Sequence, residues 1–348
     1  MMTINNVKNI LCTGAGGASG YAMLKSLLES DLNINLFAGD MYQYSAGAHI
    51  NGVTGVQLPP ASEESFSDEL LRISLEHKID VVICSPEPEV LIMSKLREQW
   101  YENYKIQVVT TYPETAYIGV NKLALYEKLK DKEGIYLKPF LDITNEEDIY
   151  RWSHGFPCVI KPYSGVSARG LHYVNNVEEF VLIYRYLTQH LGFTKLVLQG
   201  LIPGLSSNVY TVGALYWNGS LINAGIHHKL RTTPTRGGSA VAGITIESKP
   251  LLEYGLHILN SAGKWHGCVA VEFKVSEKDN LPYLLEINPR LWGFSYLMTM
   301  AGVNYPEMLV RLSQGQYIPT FEQRDHRFLV YEIGKKMIRG LDLMEFTN

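Results

Sequence analysis

Two short segments in the last third of the chain hold the densest set of oxygen donors. Ala270-Val271-Glu272-Phe273-Lys274 is followed by Tyr283-Leu284-Leu285-Glu286-Ile287-Asn288-Pro289-Arg290. Successive side chains on a strand point to opposite faces. Glu286 and Asn288 therefore share one face, and Leu285 and Ile287 take the other. Glu272, between Val271 and Phe273, also points away from its apolar neighbours. The turn-like Ser276-Glu277-Lys278-Asp279-Asn280 between the segments predicts a hairpin. A register with Glu272 opposite Glu286 gathers two carboxylates and an amide oxygen. Like charges facing each other across a sheet are destabilising, and a divalent cation between them reverses the sign. Oxygen ligands with positions left for phosphate oxygens are what Mg²⁺ takes at a nucleotide site. Arg290 adds a fork of donors for a phosphate or carboxylate. The competing reading is a solvent-facing hairpin edge carrying ordinary acids.

Three other segments are rich in small residues and cations. Lys161 ends an apolar run and leads into Pro162-Tyr163-Ser164-Gly165-Val166-Ser167-Ala168-Arg169-Gly170. Small residues let backbone N–H groups approach phosphate oxygens. A flexible surface hairpin is the equal alternative for this loop taken alone. His227-His228-Lys229-Leu230-Arg231-Thr232-Thr233-Pro234-Thr235-Arg236-Gly237-Gly238-Ser239 would suit an anionic intermediate such as an acyl phosphate. Its two adjacent His have no further His or Cys nearby to complete a metal site. Gly14-Ala15-Gly16-Gly17-Ala18-Ser19-Gly20, with Asp40 downstream, is similar to a dinucleotide fingerprint, but its spacing is G-x-G-x-x-x-G. A tight turn at the mouth of a sheet is the favoured reading there.

The elements that must hold these segments follow from periodicity. Asn9 to Thr13, Leu36 to Asp40, Val81 to Cys84 and Gln107 to Thr110 read as buried strands. Helical patterns lie between them, with Met23, Leu24, Leu27 and Leu28 on one face and another run from Leu70 to His77. Such alternation predicts a doubly wound, mostly parallel α/β sheet. The chain leaves that domain near Tyr112-Pro113-Glu114. Asn121-Lys122 opens a helix, and an α+β unit follows with strands at 158–161, 171–174 and 195–199 and a helix over 177–190. Pro203-Gly204 reads as a hinge. Beyond it come strands at 210–216 and 221–229, a loop, a helix over 251–265 and the hairpin 268–288.

The 348 residues carry 31 Lys and Arg against 35 Asp and Glu, a net charge of −4. That balance offers no basic face for nucleic acid or anionic membrane. No apolar run approaches the roughly 18 residues of a membrane span, and the N-terminus lacks the pattern of a signal peptide. Cys12, Cys84, Cys158 and Cys268 form no CxxC pair and read as buried thiols in a reducing compartment. The expectation is a cytoplasmic protein of two to three domains, at roughly 150 residues each.

The ordered set of Lys122, Lys161 with its Gly/Ser loop, Leu198-Gln199 to Pro203-Gly204, Glu272 and Glu286-Ile287-Asn288-Pro289-Arg290 resembles the ATP-grasp superfamily, in particular the branch similar to the carbamoyl-phosphate synthetase large subunit. The resemblance extends to Asp80-Val81-Val82, Pro86-Glu87-Pro88-Glu89, Trp292-Gly293 and Ala301-Gly302-Val303. It implies a Rossmann-like domain over 1–112, a small lid lobe over 113–198 and a large lobe over 199–348. It also implies an ADP-forming ligase. A carboxylate takes the γ-phosphate of ATP to give an acyl phosphate, and an amine, or a thiol, displaces the phosphate. In that reading Lys122, Lys161, Ser164, Gly165, Ser167, Arg169 and Gly170 hold the phosphates, and the backbone of Gln199, Gly200, Leu201 and Ile202 meets the adenine. Glu272, Glu286 and Asn288 hold one or two Mg²⁺ ions, with Mn²⁺ as a substitute. Arg290, Lys229, Arg231 and Arg236 stabilise the developing charge. Relatives often carry acids after the hinge, one of them for the ribose. Here none follows it in sequence, and Asn208 is the candidate. Expected partners are a small-molecule carboxylate and amine, and, by analogy, a second copy in a homodimer. The competing functions are an NAD(P)-binding oxidoreductase using the Gly14 loop and a nucleotide-binding protein that has lost catalysis.

Overall fold

A computed structural model describes residues 7–164, 170–233, 238–316, 318, 323–324 and 327–330. The expected site residues Gly165, Ser167, Arg169 and Arg236 lie outside the described residues. The first sheet is built from β1 (Lys8–Thr13), β2 (Ile34–Asp40), β3 (Val53–Gln57), β4 (Val81–Ile83) and β5 (Gln107–Val109), all parallel, in the order β3-β2-β1-β4-β5. Helices α1 (Ala18–Leu28), α2 (Phe66–Glu76) and α3 (Glu87–Tyr104) connect them. Helices on both faces bury the strands from both sides, hence the unbroken apolar runs. Ile10, Leu11 and Cys12 are fully buried. The strand order reverses between β1 and β4, and the loops leaving those two strands open a crevice at their C-terminal ends.

Two elements in this sheet escape the periodicity argument. β3 is an edge strand with no fully buried residue, so its pattern is weak. α3 opens on Pro86-Glu87-Pro88-Glu89, with Pro and two acids in its first turn, which are helix-start signals rather than a loop.

At the base of α1 the Gly14 loop packs without slack. A Cβ on Gly20 would lie 2.1 Å from the Gly14 carbonyl oxygen. Gly20→Ala should therefore cost about 1–3 kcal/mol through overpacking. A drop in the urea midpoint checks this.

The second sheet is antiparallel, in the order β6-β9-β7-β8, from β6 (Phe140–Ile143), β7 (Cys158–Pro162), β8 (His172–Val174) and β9 (Leu196–Gly200), with α6 (Val177–Arg185) packed on it. Before it run α4 (Pro113–Val120) and α5 (Lys122–Leu129). Their apolar side chains Ile118, Leu125 and Leu129 pack with Val212, Ile258, Val269 and Val271 of the third sheet's core, not with the second sheet. The expected lobe boundary at residue 113 thus differs from the packing, which begins the small core near Ile143. The second sheet meets α5 only at its edge, where Tyr126 stacks on Phe140 with ring centroids 4.9 Å apart.

The third sheet is antiparallel in the order β14-β13-β10-β11-β12-β15. Its strands are β10 (Val209–Trp217), β11 (Ser220–Thr233), β12 (Ser239–Thr245), β13 (Gly267–Val275), β14 (Pro282–Asn288) and β15 (Phe328–Val330). α7 (Lys249–Ala262) covers one face, and α8 (Ser295–Met300) and α9 (Tyr305–Ser313) follow β14. β12 lies in a stretch that reads as loop because Ala and Gly blunt its alternation. Leu291, Trp292, Leu297, Met298 and Met308 share one buried cluster with Ile10, Met23 and Leu24 of the first unit. The first and third sheets are thereby fixed to each other. Among the described residues no helix is long and apolar enough to cross a membrane.

Candidate functional site

β13 and β14 pair with Glu272 directly opposite Glu286 and Ala270 opposite Asn288. Three lysines from three other elements converge on this carboxylate pair. Lys229 of β11 places Nζ 2.5 Å from Glu272 Oε2, with both side chains nearly buried. Lys122 places Nζ 3.7 Å from Glu286 Oε2. Its position is set by Asn121, whose side chain accepts from Leu123 and Ala124 N–H and so starts α5 at Lys122. The Lys122 N–H donates to the Tyr163 carbonyl at 2.9 Å, which ties α5 to the loop after β7. Lys161, at the end of β7, is buried and donates to Gln199 Oε1 of β9 at 2.6 Å.

The electrostatics of the cluster are mutual. Burial raises the Glu272 carboxyl above its ordinary range despite Lys229. Burial also opposes the charge on Glu286, but Lys122, Lys229 and Lys161 outweigh it and hold that carboxyl below its ordinary range. Burial, helped by the charge on Lys122, pushes the Lys161 ammonium down to about 7.

The amide of Asn288 donates to Glu286 Oε1 at 3.3 Å, while its oxygen accepts from Arg290 Nη2 at 3.1 Å. The expected trio is therefore side by side, but the amide oxygen is turned to Arg290 rather than toward the carboxylates. Among the described residues there is no group of three or more His, Cys, Asp and Glu gathered as for a metal ion.

The other expected residues divide. Ser164 lines the same cavity as the lysines. Gly170 closes its loop at φ +77°, where a Cβ would press on Phe193 and Pro162. Gln199 and Gly200 are paired in the sheet, and the Ile202 carbonyl accepts from Lys274 Nζ at 2.9 Å. Gln199, Gly200, Leu201 and Ile202 are absent from the cavity wall. Asn208 Nδ2 contacts the Val275 carbonyl at 3.4 Å and Glu277 Oε1 at 3.3 Å. The acid missing from the hinge in sequence thus stands beside it in space. Glu277 comes from the β13–β14 turn, and its N–H donates to the Pro203 carbonyl at 3.3 Å.

Two of the expected cations are placed otherwise than their spacing suggests. Arg231 shares its parity with Lys229, yet it is exposed and absent from the cavity wall. The register of β11 on β12 slips between Lys229 and Arg231, and a bulge moves the following side chains to the other face. Arg290 does border the cavity, but both terminal nitrogens are engaged: Nη2 on Glu87 Oε1 at 3.1 Å and on Asn288, Nη1 on Ser19 Oγ at 3.0 Å and on the Leu291 carbonyl, which leaves the buried Nε without a partner. It clamps the third sheet to the first unit. Both Arg290 and Glu87 side chains are about nine-tenths buried. Breaking such a pair costs roughly 3–5 kcal/mol, so Arg290→Met should lower stability by that order in urea denaturation, and adding Glu87→Gln should restore part of it.

The cavity, about 1070 Å³, joins the lysine cluster to the loops leaving β1, β2 and β4. His227 lies in its wall. The Trp292 indole N–H donates to His227 Nε2 at 3.0 Å, and burial pushes the imidazole down to about 3, so the ring is neutral and carries its proton on Nδ1. Sequence spacing singled out His227 only as half of a metal pair. Its indole partner is 65 residues away, and that contact sets the tautomer. The Gly14 loop also borders the cavity. Its Gly16 N–H donates to Asp40 Oδ2 at 2.6 Å, and Tyr42 N–H to Asp40 Oδ1 at 2.9 Å. An internal carboxylate thus occupies the place where a dinucleotide pyrophosphate would seek that amide, which disfavours the oxidoreductase reading.

Residues 193–335 match the family described as ATP-grasp in the biosynthetic pathway with Ter operon. A formate-dependent phosphoribosylglycinamide formyltransferase of Bacteroides fragilis is 25% identical over 74% of this chain, and the chain spans 66% of that relative's length. Biotin carboxylase from Campylobacter jejuni, solved with an ATP analogue, superposes with a TM-score of 0.70 at 15% identity, over 92% of this chain and 74% of that one. L-amino acid ligase from Bacillus licheniformis superposes with a TM-score of 0.66 at 16% identity, over 88% and 74%. Residues 193–335 thus match an ATP-grasp family, and over about nine-tenths of its length the chain shares the fold of these solved enzymes.

Proposed function

We propose that the protein is an ATP-dependent, ADP-forming ligase that joins a carboxylate to an amine, with ATP lying between the second and third sheets. The observation that carries this reading is Glu272 facing Glu286 across β13 and β14 with Lys122, Lys161 and Lys229 around them in one cavity. Paired carboxylates ringed by ammonium groups suit a polyanion with its counter-cation and have no structural need otherwise. The two carboxylates fit Mg²⁺, a hard cation that takes oxygen ligands and leaves room for phosphates. Asn288 fits less well, since its amide oxygen faces Arg290. When bound, Mg²⁺ neutralises phosphate charge and screens the two glutamates from each other.

The remaining chemistry belongs to the chain's own side chains. Lys122 and Lys161 grip the phosphates from α5 and β7. Lys229 is released from Glu272 and turns to the developing charge at the reacting carboxyl. The neutral His227 offers Nδ1–H without competing for a proton. Catalysis is positioning plus charge stabilisation, as phosphoryl transfer requires. The test is ADP release in Mg·ATP over pairs of small carboxylates and amines. Release that depends on both partners supports the ligase. Turnover with no pair, together with absent ATP binding, sinks it.

A further inference from the structure

The cavity has two ends of opposite charge. Lys122, Lys161 and Lys229 line one end. At the other, the loops leaving β1, β2 and β4 contribute Asp40, Glu87, Glu89 and Ser45. Arg290 is the cation facing that end, and it is already paired with Glu87. The amide of Gly16, a donor an incoming anion could have used, is given to Asp40. Two acceptors at this end remain unspent. Glu89 Oε2 and Ser45 Oγ are buried and have no hydrogen-bond partner. Glu89 is 8% exposed and Ser45 5%. A buried carboxylate oxygen facing a cavity without a donor is costly until a ligand supplies one.

We propose that this end binds the amine substrate as a primary ammonium cation, with Glu89 Oε2 and Ser45 Oγ accepting its N–H groups. The assignment rests on the ligase reading for what the amine then does, but not for its binding. Burial, with the negative charge of Asp40 adding to it, outweighs a hydrogen bond from Thr13 and raises the Glu89 carboxyl to about 7, as expected of a group that lacks its cation. Tyr42 and Tyr44 border the same end, and their ring faces favour a cation over an anion. Gly16 keeps the end open, because a Cβ there would lie 3.0 Å from Ser45 Cβ and 3.1 Å from Asp40 Oδ2. A phosphorylated amine meets the opposite, since the carboxylates of Asp40 and Glu89 repel its phosphate.

Titration calorimetry of the full chain with 1,4-diaminobutane and with O-phosphoethanolamine tests this. The expected result is that the diamine binds and the phosphorylated amine does not. Glu89→Gln should weaken the diamine by about tenfold or more, the loss of one charged hydrogen bond, and Ser45→Ala by a few fold. Mg·ATP affinity should be the same in all three proteins. The proposal is overturned if the diamine does not bind, if it binds Glu89→Gln and Ser45→Ala as well as wild type, or if O-phosphoethanolamine binds more tightly. Diamine binding without Mg·ATP binding would remove the ligase reading and leave this one standing.

Discussion

Glu286→Gln should lower ADP release by on the order of 10²–10³-fold while leaving the fold intact. The magnitude follows from losing a charged group placed where phosphate charge develops in a water-poor site. Stability should move little, because two effects oppose each other. The substitution removes the attraction of Lys122, Lys229 and Lys161 for the carboxylate, and it also removes the repulsion from Glu272 directly opposite. The side chain is one-third exposed to the cavity, so water dilutes both effects. ADP release at wild-type rate by a folded variant would remove Glu286 from the site. Its neighbour Glu272 makes the useful contrast. Glu272→Gln strands the nearly buried Lys229 ammonium, and this variant should lose stability as well as turnover.

Lys161→Met should weaken ATP by about tenfold or more, the scale of one lost charge-assisted hydrogen bond. The same change should alter two pH-dependent properties. In the folded chain burial and Lys122 hold Lys161 at about 7, against 10.5 ordinarily. Between those values the unfolded chain binds a proton that the folded chain has released, so stability of the ligand-free protein rises with pH across that window. Below about pH 7 both states carry the proton and the folded state bears the full cost of the buried charge. Lys161→Met should flatten the rise, as seen in urea midpoints from pH 7 to 10. ATP brings negative charge to the ammonium and reverses the burial effect. Binding at pH 8 should take up close to one proton in wild type and none through this site in the variant. Calorimetry in two buffers of different ionisation enthalpy reads that difference, and equal uptake by both proteins would place Lys161 outside the phosphate site.

The two predictions differ in how much of them the sequence contained. The face shared by Glu286 and Asn288, and the partnership with Glu272, follow from the two-residue period of strands and a turn of readable length. Those are local properties, and the observed register agrees. The depressed Lys161 is a different matter. Nothing near it in sequence announces burial beside Lys122 and a hydrogen bond to Gln199, 38 residues on.

The misplacements have the same origin. Arg231 has the parity of Lys229, and only the slip against β12 turns it outward. α5 is readable as a helix, but which core receives it depends on where the third sheet sits. Arg290 reads as a phosphate donor because its guanidinium is suited to one. The first unit, more than 200 residues earlier in the chain, supplies Glu87 and claims it.

By itself the order of residues determined the parallel sheet, the antiparallel hairpin and the chemistry on its polar face, since these depend on periods of two and 3.6 residues and on turn chemistry. Only the tertiary structure decided which lysines meet which carboxylates, which amide oxygen is already engaged, and that the opposite wall of the cavity is acidic with acceptors unspent. Those outcomes arise from side chains brought together across tens to hundreds of residues, where burial and neighbouring charge, not local pattern, set protonation and partner.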